Sequence, residues 1–275
     1  MGSSLPNLLA VLRDYIKLTH PSAVVQWMIL TIVFSCVFVK GCPDLLILLR
    51  IVAAIVFSQI SIGCMNDFCD REEDSILKPW RPIPSGRIST RTAVLISGLA
   101  FLLAVSIGAT FGILGVAGIL VGAGSGYAHN IKLKSTVISW LPFLVGFLVH
   151  PTWIWVVTDH DLTIEFAEKL VYLLPLIFGI HIANQLPDIE DEKYGVAGLV
   201  HRLQPKKAIW LASTSLTCAP LVMMIPIAPD VFVYPRHLIF PGLVIYFGLL
   251  IRAFVHYSKG FRRSNAKRAS SAIRY

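Results

Sequence analysis

Residues 59–89 read QISIGCMNDFCDREEDSILKPWRPIPSGRIS, and the interpretation of the whole chain starts from this stretch. Its apolar beginning predicts the end of a membrane-spanning helix. Four polar side chains then follow at helical spacing: Asn66, Asp67, Asp70 and Asp74. At about 100° per residue they fall within one arc of roughly 100° if the helix continues that far. Three carboxylates and an amide are therefore predicted to share one face at the membrane boundary.

This cluster of oxygen ligands is expected to bind a cation. Carboxylates on one face repel each other unless a positive charge joins them, and Mg²⁺ prefers a few carboxylates together with waters and substrate phosphates. An ordinary acidic helix end at the membrane surface is the alternative interpretation. The proline-rich loop that follows favours the metal site, because cations beside a metal are what a diphosphate requires. The cations of this loop are Lys78, Arg81 and Arg87.

The composition is typical of a polytopic membrane protein. Of the 275 residues, 55% are hydrophobic and only 15% are charged, and the mean hydropathy is +0.70. Because a spanning helix needs about 20 mostly apolar residues, we predict an all-α, polytopic transmembrane helical bundle that forms a single domain over residues 1–275. The eight predicted spans are 22–39, 44–65, 92–110, 112–128, 137–157, 168–186, 207–227 and 237–256.

The net charge of +8 is distributed unevenly along the chain. Lysines and arginines lie before the first predicted span, in alternate loops and in the tail, whereas the opposite loops are short or acidic. With an even number of helices, the positive-inside rule places both termini and the loops after the even-numbered spans in the cytoplasm. Residues 1–20 are predicted to form an interfacial amphipathic helix. Residues 258–275 are predicted to form a basic cytosolic tail on anionic lipid headgroups, because no nucleic-acid motif accompanies the charge.

A second polar segment, residues 181–192, follows the sixth predicted span and reads HIANQLPDIEDE. Five of its side chains again share one helical face, whereas Glu190 points away from it. The five are His181, Asn184, Asp188, Asp191 and Glu192. Polar groups at the inner end of a membrane helix are costly to expose to lipid, so they are functional candidates aimed at the bundle interior. For His181 the alternative is a simple hydrogen bond to a neighbouring helix.

The segment between the fourth and fifth predicted spans carries two lysines, Lys132 and Lys134. Both could be ordinary positive-inside charges. The other interpretation is that one of them reaches the phosphate end of a substrate, and Lys134 is chosen because it lies nearer the fifth helix. Tyr127, His181 and Asn184 are the candidates for contact with a second substrate.

These residues resemble the UbiA superfamily of intramembrane prenyltransferases. The first signature of that family, Asn-Asp-x-x-Asp-x-x-x-Asp, is matched in full by residues 66–74, and residues 78–86 (KPWRPIPSG) resemble its basic loop. Lys132-Leu-Lys134 sits where a phosphate-facing lysine is expected. The second motif departs from the usual Asp-x-x-x-Asp, because Asp188 is followed by Asp191 at i+3 and by Glu192 at i+4. Either residue is therefore a candidate for the second ligand.

The resemblance implies a bundle around a central, lipid-open cavity, commonly with nine spans, which is one more than the eight predicted from hydropathy. It implies Mg²⁺-dependent transfer of a prenyl group from an isoprenyl diphosphate to an aromatic or other lipophilic acceptor. The implied metal ligands are Asn66, Asp67, Asp70, Asp74, Asp188, Asp191 and Glu192. The implied catalytic residues are Asp67, Asp70, Asp188 and Lys134. The implied diphosphate-binding residues are Lys78, Arg81 and Lys134. Tyr127, Asn184 and His181 complete the predicted substrate-binding set as candidates for contact with the acceptor.

Two other functions are weighed against prenyl transfer. Some members of the same superfamily are terpene cyclases, in which the prenyl cation attacks its own chain and no acceptor is needed. The acidic motifs do not separate these reactions, because both begin with ionisation of the diphosphate. A cation transporter is a more distant alternative. It would place its ionisable groups near the bilayer midplane, whereas here they cluster at one membrane end beside lysine and arginine.

Overall fold

The computed structural model of the chain describes residues 5–186, 198–203 and 205–223, and every regular element in that part is helical. The fold is therefore all-α, as predicted. The α-helices are α1 (Leu5–Leu18), α2 (Pro21–Phe38), α3 (Leu45–Cys69), α4 (Arg71–Leu77), α5 (Thr90–Ala109), α6 (Gly112–Ile131), α7 (Trp140–Val157), α8 (Ile164–Val171), α9 (Leu174–Gln185), α10 (Leu199–Leu203) and α11 (Pro205–Met223). A short 3-10 turn, Leu133–Ser135, precedes α7.

Five of these helices, α2, α3, α5, α6 and α7, are long and apolar enough to cross a membrane. Helices α8 and α9 would make a sixth candidate as one broken span, because they are bent by 41° at a short break. The seventh predicted span corresponds to α11, which carries two lysines in its first turn and is not among the candidates. The eighth predicted span, 237–256, lies outside the described residues. The described part of the chain thus supports an integral membrane protein with five or six candidate spans, and the prediction of eight is not confirmed.

The boundary between α5 and α6 is a sharp turn. Gly112 adopts φ 77°, a left-handed conformation that glycine takes without steric cost. The helices then pack closely, because a Cβ on Gly108 would lie only 2.9 Å from the carbonyl oxygen of Gly115. Small residues allow such a close approach between membrane helices. The segment 92–128 is therefore two helices, as predicted.

Helix α3 lies at the centre of the packing, in contact with α2, α5 and α6, while α7 packs against α6. Ile51, Ala54 and Ile55 of α3 are buried together with Ile119 of α6 and Trp153 of α7. These helices belong to one compact unit that extends to Ala219. The second unit, 220–275, lies outside the described residues except for the end of α11. The central position of α3 matters for function because this helix ends in the first acidic motif.

Helix α1 is fixed at the same end of α3 as the acidic motif. Arg87 donates to Asp14 of α1 at 2.7 Å, and Leu18 is fully buried beside Cys64. Leu8, Leu9 and Leu12 are more than half exposed. An exposed apolar face on an anchored helix is typical of an interfacial segment. Contact of α1 with the membrane remains a prediction.

Candidate active site

The first acidic motif spans the junction between α3 and α4. Helix α3 ends at Cys69, and Asp70 forms the junction with φ −85° and ψ −1°. The N–H of Asp74 still donates to the carbonyl of Asp70 at 2.8 Å, so the backbone stays close to helical. The amide of Asn66 donates to Oδ2 of Asp70 at 3.1 Å. Helical spacing therefore predicted a real cluster, although two helices rather than one carry it.

Arg81 joins two carboxylates of the motif. Its Nη1 atom donates to Oδ1 of Asp67 at 2.9 Å and to Oδ2 of Asp74 at 2.7 Å. Asp67 and Asp74 are only 4% and 2% exposed, and buried charges of this kind require pairing. Lys78 lies 3.9 Å from the other oxygen of Asp74. These two cations of the proline-rich loop face the acids, whereas the third, Arg87, is bonded to Asp14.

The loop that carries Arg81 folds back on the end of α3 through its own backbone bonds. The N–H of Arg81 donates to the carbonyl of Lys78 at 2.9 Å, and the N–H of Ile88 donates to that of Pro82 at 3.0 Å. The side chains of Ile83 and Ile88 are buried against α1, α3 and α5. Apolar anchors and prolines thus hold the guanidinium in place.

Lys134 reaches the same cluster from a distant part of the chain. Its Nζ atom makes an ion pair with Asp70 and lies 3.6 Å from Oε2 of Glu73. Lys134 lies in the 3-10 turn after α6, and its neighbour Lys132 is exposed to solvent. The structure therefore places Lys134, and not Lys132, at the acidic motif.

The protonation of these groups follows from burial and from their partners. Burial raises the pKa of Asp74 and outweighs the opposing attraction of Arg81 and Lys78. Burial also raises the pKa of Glu73, against the attraction of Lys134. Burial by itself would lower the pKa of Lys134, but the charges of Asp70 and Glu73 raise it overall. The ammonium group of Lys134 is therefore held in its charged form.

His20 is a member of the site that sequence reasoning missed. Its Nε2 atom lies 2.8 Å from Oδ1 of Asp67. His20 precedes α2 in a left-handed conformation, φ 51° and ψ 59°, which is uncommon for residues other than glycine. Gly63 gives its ring room, because a Cβ at that position would lie 3.1 Å from the imidazole. His20 and Asp67 are 47 positions apart, and no sequence pattern links them.

An internal cavity of about 330 Å³ begins close to the acidic motif. Its lining includes Ile62, which lies four residues before Asn66 on α3, or about 6 Å along the helix axis. Near this end the lining is polar, with Gln59, Asn130 and Asn184. The remaining wall is rich in aromatic side chains: Trp27, Phe143, Phe147 and Trp153. This volume lies at the lower end of the range for small-molecule sites, about 300–1,000 Å³.

The predicted substrate-contact residues fall in different places. Asn184 lines the cavity, whereas Tyr127 and His181 do not belong to its lining. The hydroxyl of Tyr127 is bonded to Ser61 of α3. His181 lies 3.1 Å from the hydroxyl of Ser139, which is the bond to a neighbouring helix weighed as the alternative. The second acidic motif, with Asp188, Asp191 and Glu192, lies outside the described residues, so its position stays a prediction.

The first motif offers suitable donor atoms for a metal ion but not a formed metal centre. Among the described residues, no three His, Cys, Asp or Glu side chains are grouped closely enough to hold a metal. Arg81 and Lys134 pair with the acids of the motif. Oδ2 of Asp67, however, has no hydrogen-bond partner in the described part of the chain, because His20 and Arg81 both bind Oδ1. Hard, negatively charged oxygens near the membrane boundary fit Mg²⁺.

The fold and the site together define a helical membrane protein with interleaved acidic and basic side chains at one end of an internal cavity. The sequence matches the UbiA prenyltransferase family over residues 27–275, and the chain belongs to this family.

Two curated relatives illustrate the similarity. The chain is 26% identical to naringenin 8-dimethylallyltransferase 2, chloroplastic, of Sophora flavescens, over 76% of this chain and 56% of that protein. It is 30% identical to the bacteriochlorophyll synthase 33 kDa chain of Cereibacter sphaeroides, over 58% of this chain and 55% of that protein. The chain thus spans about half the length of these relatives.

Solved structures share the fold. A UbiA homolog from Archaeoglobus fulgidus bound to GPP and Mg²⁺ superimposes with a TM-score of 0.68 at 16% identity, over 90% of this chain and 96% of that one. The same homolog bound to DMAPP and Mg²⁺ gives a TM-score of 0.67 at 15% identity, over 90% and 98%. At this level of identity the likeness shows the fold.

Proposed function

We propose that this chain is an Mg²⁺-dependent intramembrane prenyltransferase, which transfers the prenyl group of an isoprenyl diphosphate to an aromatic or other lipophilic acceptor. The observation that carries the proposal is that acidic and basic side chains from separate segments meet at the end of α3. Arg81 joins Asp67 and Asp74, and Lys134 arrives at Asp70 from 64 positions away. The motif begins at Asn66, about one helical turn after Ile62, which lines an aromatic-walled cavity. The relatives named as a dimethylallyltransferase and a bacteriochlorophyll synthase support the same reaction class.

The acidic residues would hold the metal. Asn66, Asp67, Asp70 and Asp74 supply oxygen donors from the first motif, and the second motif would add Asp188 with either Asp191 or Glu192. When bound, Mg²⁺ supplies positive charge that stabilises the departing diphosphate. Lys78, Arg81 and Lys134 would bind diphosphate oxygens by charge-assisted hydrogen bonds.

The cavity would keep water away from the reacting end of the prenyl chain. Its apolar walls exclude solvent from the allylic cation that forms when the C1–O bond to the diphosphate breaks. The rings of Trp27, Phe147 and Trp153 line the cavity, and aromatic faces stabilise positive charge. The acceptor then forms a bond to C1 and loses a proton. Transfer of a cation in this way requires a dry chamber, which a membrane-embedded bundle provides.

We also propose that the acidic end faces the cytoplasm. The support is the charge pattern: basic side chains lie before the first span, in the loop after α3 and in the tail. The basic tail would contact anionic lipid headgroups. A reporter fused to the amino terminus of the full chain, tested for accessibility in sealed vesicles, decides this orientation.

The experiment that tests the function measures diphosphate release. The purified full chain is incubated with Mg²⁺ and prenyl diphosphates of several lengths, with and without aromatic acceptors. Acceptor-dependent release with formation of a prenylated product is the expected result. Release without an acceptor, together with a cyclic hydrocarbon, would assign the chain as a terpene cyclase. No release under any of these conditions would refute the proposal.

A further inference from the structure

A buried histidine in the cavity wall has no part in the proposed ionisation step. His150 of α7 is 6% exposed and lines the cavity. The indole of Trp27 lies edge-on to it with ring centroids 4.8 Å apart, and the ring of Phe34 lies 5.8 Å away. A polar ring in an apolar wall is costly unless its hydrogen-bonding groups are used. The partners of its two nitrogens therefore decide what it can do.

The hydrogen bonds of Thr31 fix the tautomer of His150. The Thr31 hydroxyl donates its single hydrogen to the carbonyl of Trp27 at 2.7 Å. The same oxygen lies 2.9 Å from Nε2 of His150. Because its only hydrogen is already used, Thr31 must accept at this second contact, and Nε2 must carry the proton. The other nitrogen, Nδ1, is then an unprotonated acceptor.

Nδ1 of His150 is available to a ligand. It has no hydrogen-bond partner among the described residues. It is also not one of the fully buried, unpartnered polar atoms of that part of the chain, so it is not completely enclosed. His150 lines the cavity, so the cavity is the route by which a ligand would reach this lone pair. Phe147 lies one turn earlier on α7, and its ring centroid is 4.8 Å from that of Trp27 and 4.6 Å from that of Phe143. Such a wall of rings suits a flat aromatic molecule.

The depth of His150 also fits an acceptor substrate. Its partner Thr31 lies eleven residues after His20 on α2, about 16 Å along the helix axis, and His20 contacts the acidic motif. If the hydroxyl of an aromatic molecule is hydrogen-bonded to His150, the aromatic ring of that molecule would lie between His150 and the acidic motif. That is the region where a prenyl group would be released.

We propose that His150 is the anchor of the acceptor site, where Nδ1 accepts a hydrogen bond from the hydroxyl of a hydroxylated aromatic acceptor. This inference rests on the proposed function and narrows its acceptor to molecules with a hydrogen-bond donor. Thr31 is the positioning residue that presents the free lone pair. The hydrogen bond also increases the electron density of the acceptor ring, which favours attack on the prenyl cation.

The test compares binding of two probes to the full chain in lipid nanodiscs without a prenyl diphosphate. The probes are para-phenylphenol and its methyl ether, para-methoxybiphenyl, and calorimetry measures their saturable binding. The wild type should bind the phenol about tenfold more tightly, because only the phenol donates to Nδ1. His150→Leu should abolish this preference. Thr31→Val keeps the imidazole but removes the acceptor that holds the proton on Nε2. The preference for the phenol over its methyl ether should therefore fall a few-fold.

A matched control is His160→Leu, because His160 bonds to Thr158 in the loop after α7 and is not part of the cavity lining. Its preference for the phenol should equal that of the wild type. Equal binding of the two probes by the wild type overturns the proposal, as does an undiminished preference in His150→Leu. If that variant does not fold, an undiminished preference in Thr31→Val overturns it. If the chain releases diphosphate but binds the two probes equally, only this inference is contradicted. If it prefers the phenol but releases no diphosphate, only the proposed function is contradicted.

Discussion

Nε2 of His20 lies 2.8 Å from Oδ1 of Asp67, and this bond connects the start of α2 to the acidic end of α3. Arg81 binds the same oxygen at 2.9 Å. The carboxylate is therefore held from two sides, and its second oxygen is left for another ligand. Outer partners of this kind orient metal-ligating groups. His20 is thus a positioning residue for Asp67 in the proposed metal site.

Replacement of His20 by alanine should weaken metal binding more than folding. Loss of a hydrogen-bonding partner behind a ligand typically costs about tenfold to a hundredfold in metal affinity or activity. We expect His20→Ala to raise the Mg²⁺ concentration needed for half-maximal diphosphate release about tenfold. The stabilisation of the chain by Mg²⁺ with diphosphate in a thermal unfolding assay should fall in parallel. An unchanged Mg²⁺ dependence would show that Asp67 is oriented without His20.

A methyl group on Gly63 should act through the same contact. Its Cβ would lie 3.1 Å from the His20 ring, so the ring must shift slightly, which disturbs its 2.8 Å contact with Asp67. Small misplacements in a catalytic site are costly, and we expect Gly63→Ala to lower the rate of prenyl transfer about fivefold. Gly98→Ala is the matched control, because nothing lies within 4 Å of its added Cβ. Equal rates for the two variants would contradict the prediction.

The two lysines before α7 provide a second matched pair. Lys134 pairs with Asp70 and Glu73, whereas Lys132 is exposed to solvent. Because a positive charge aimed at a leaving group contributes strongly to catalysis, Lys134→Met should reduce the rate of diphosphate release about a hundredfold. Lys132→Met should remain close to the wild type. Single-turnover release of diphosphate measures both rates. A large loss of rate in Lys132→Met, with Lys134→Met unaffected, would assign Lys132 instead of Lys134 to the leaving group.

Removal of one carboxylate from either acidic motif should stop the reaction. Asp67→Ala and Asp188→Ala are each expected to abolish diphosphate release, because each motif would supply ligands to the metal. Insertion into the membrane should be retained, which carbonate extraction checks. Glu72→Gln is the control, since the Glu72 side chain is 84% exposed and its ion pair within the described part of the chain is with the adjacent Arg71. Full activity in either alanine variant, or in an excess of chelator, would defeat the metal assignment.

Local spacing predicted the parts of the site that lie within one segment. Asn66, Asp67, Asp70 and Asp74 could be grouped from sequence because a helix repeats every 3.6 residues, and the short junction at Asp70 preserves that geometry. Arg81 and Lys78 could be added because they follow within a few residues. Hydropathy likewise predicted the helices α2, α3, α5, α6 and α7. Helix α11 is not among the candidate spans, because two lysines and several hydroxyl side chains lower the hydropathy of its described residues.

Contacts between distant segments could not be predicted in this way. His20 is a single polar residue at a helix start, and its role depends on Gly63 and Asp67 of another helix. His150 stands in an apolar run with no polar neighbour in sequence, and only the packing of α7 on α2 brings it to Thr31. The hydroxyl of Tyr127, a predicted substrate contact, is bonded to Ser61 of α3, and this contact between helices also has no signal in the sequence.

The sequence by itself determined an all-helical membrane protein, a carboxylate face at the end of its third helix and a basic loop beside that face. These features follow from helical periodicity and from the cost of placing charge in lipid, which act over one segment at a time. Only the tertiary structure decided that Lys134 and His20 complete this cluster and that His150 opens onto the cavity. Those contacts depend on how helices rotate and approach one another, which is set by packing among distant side chains and small residues.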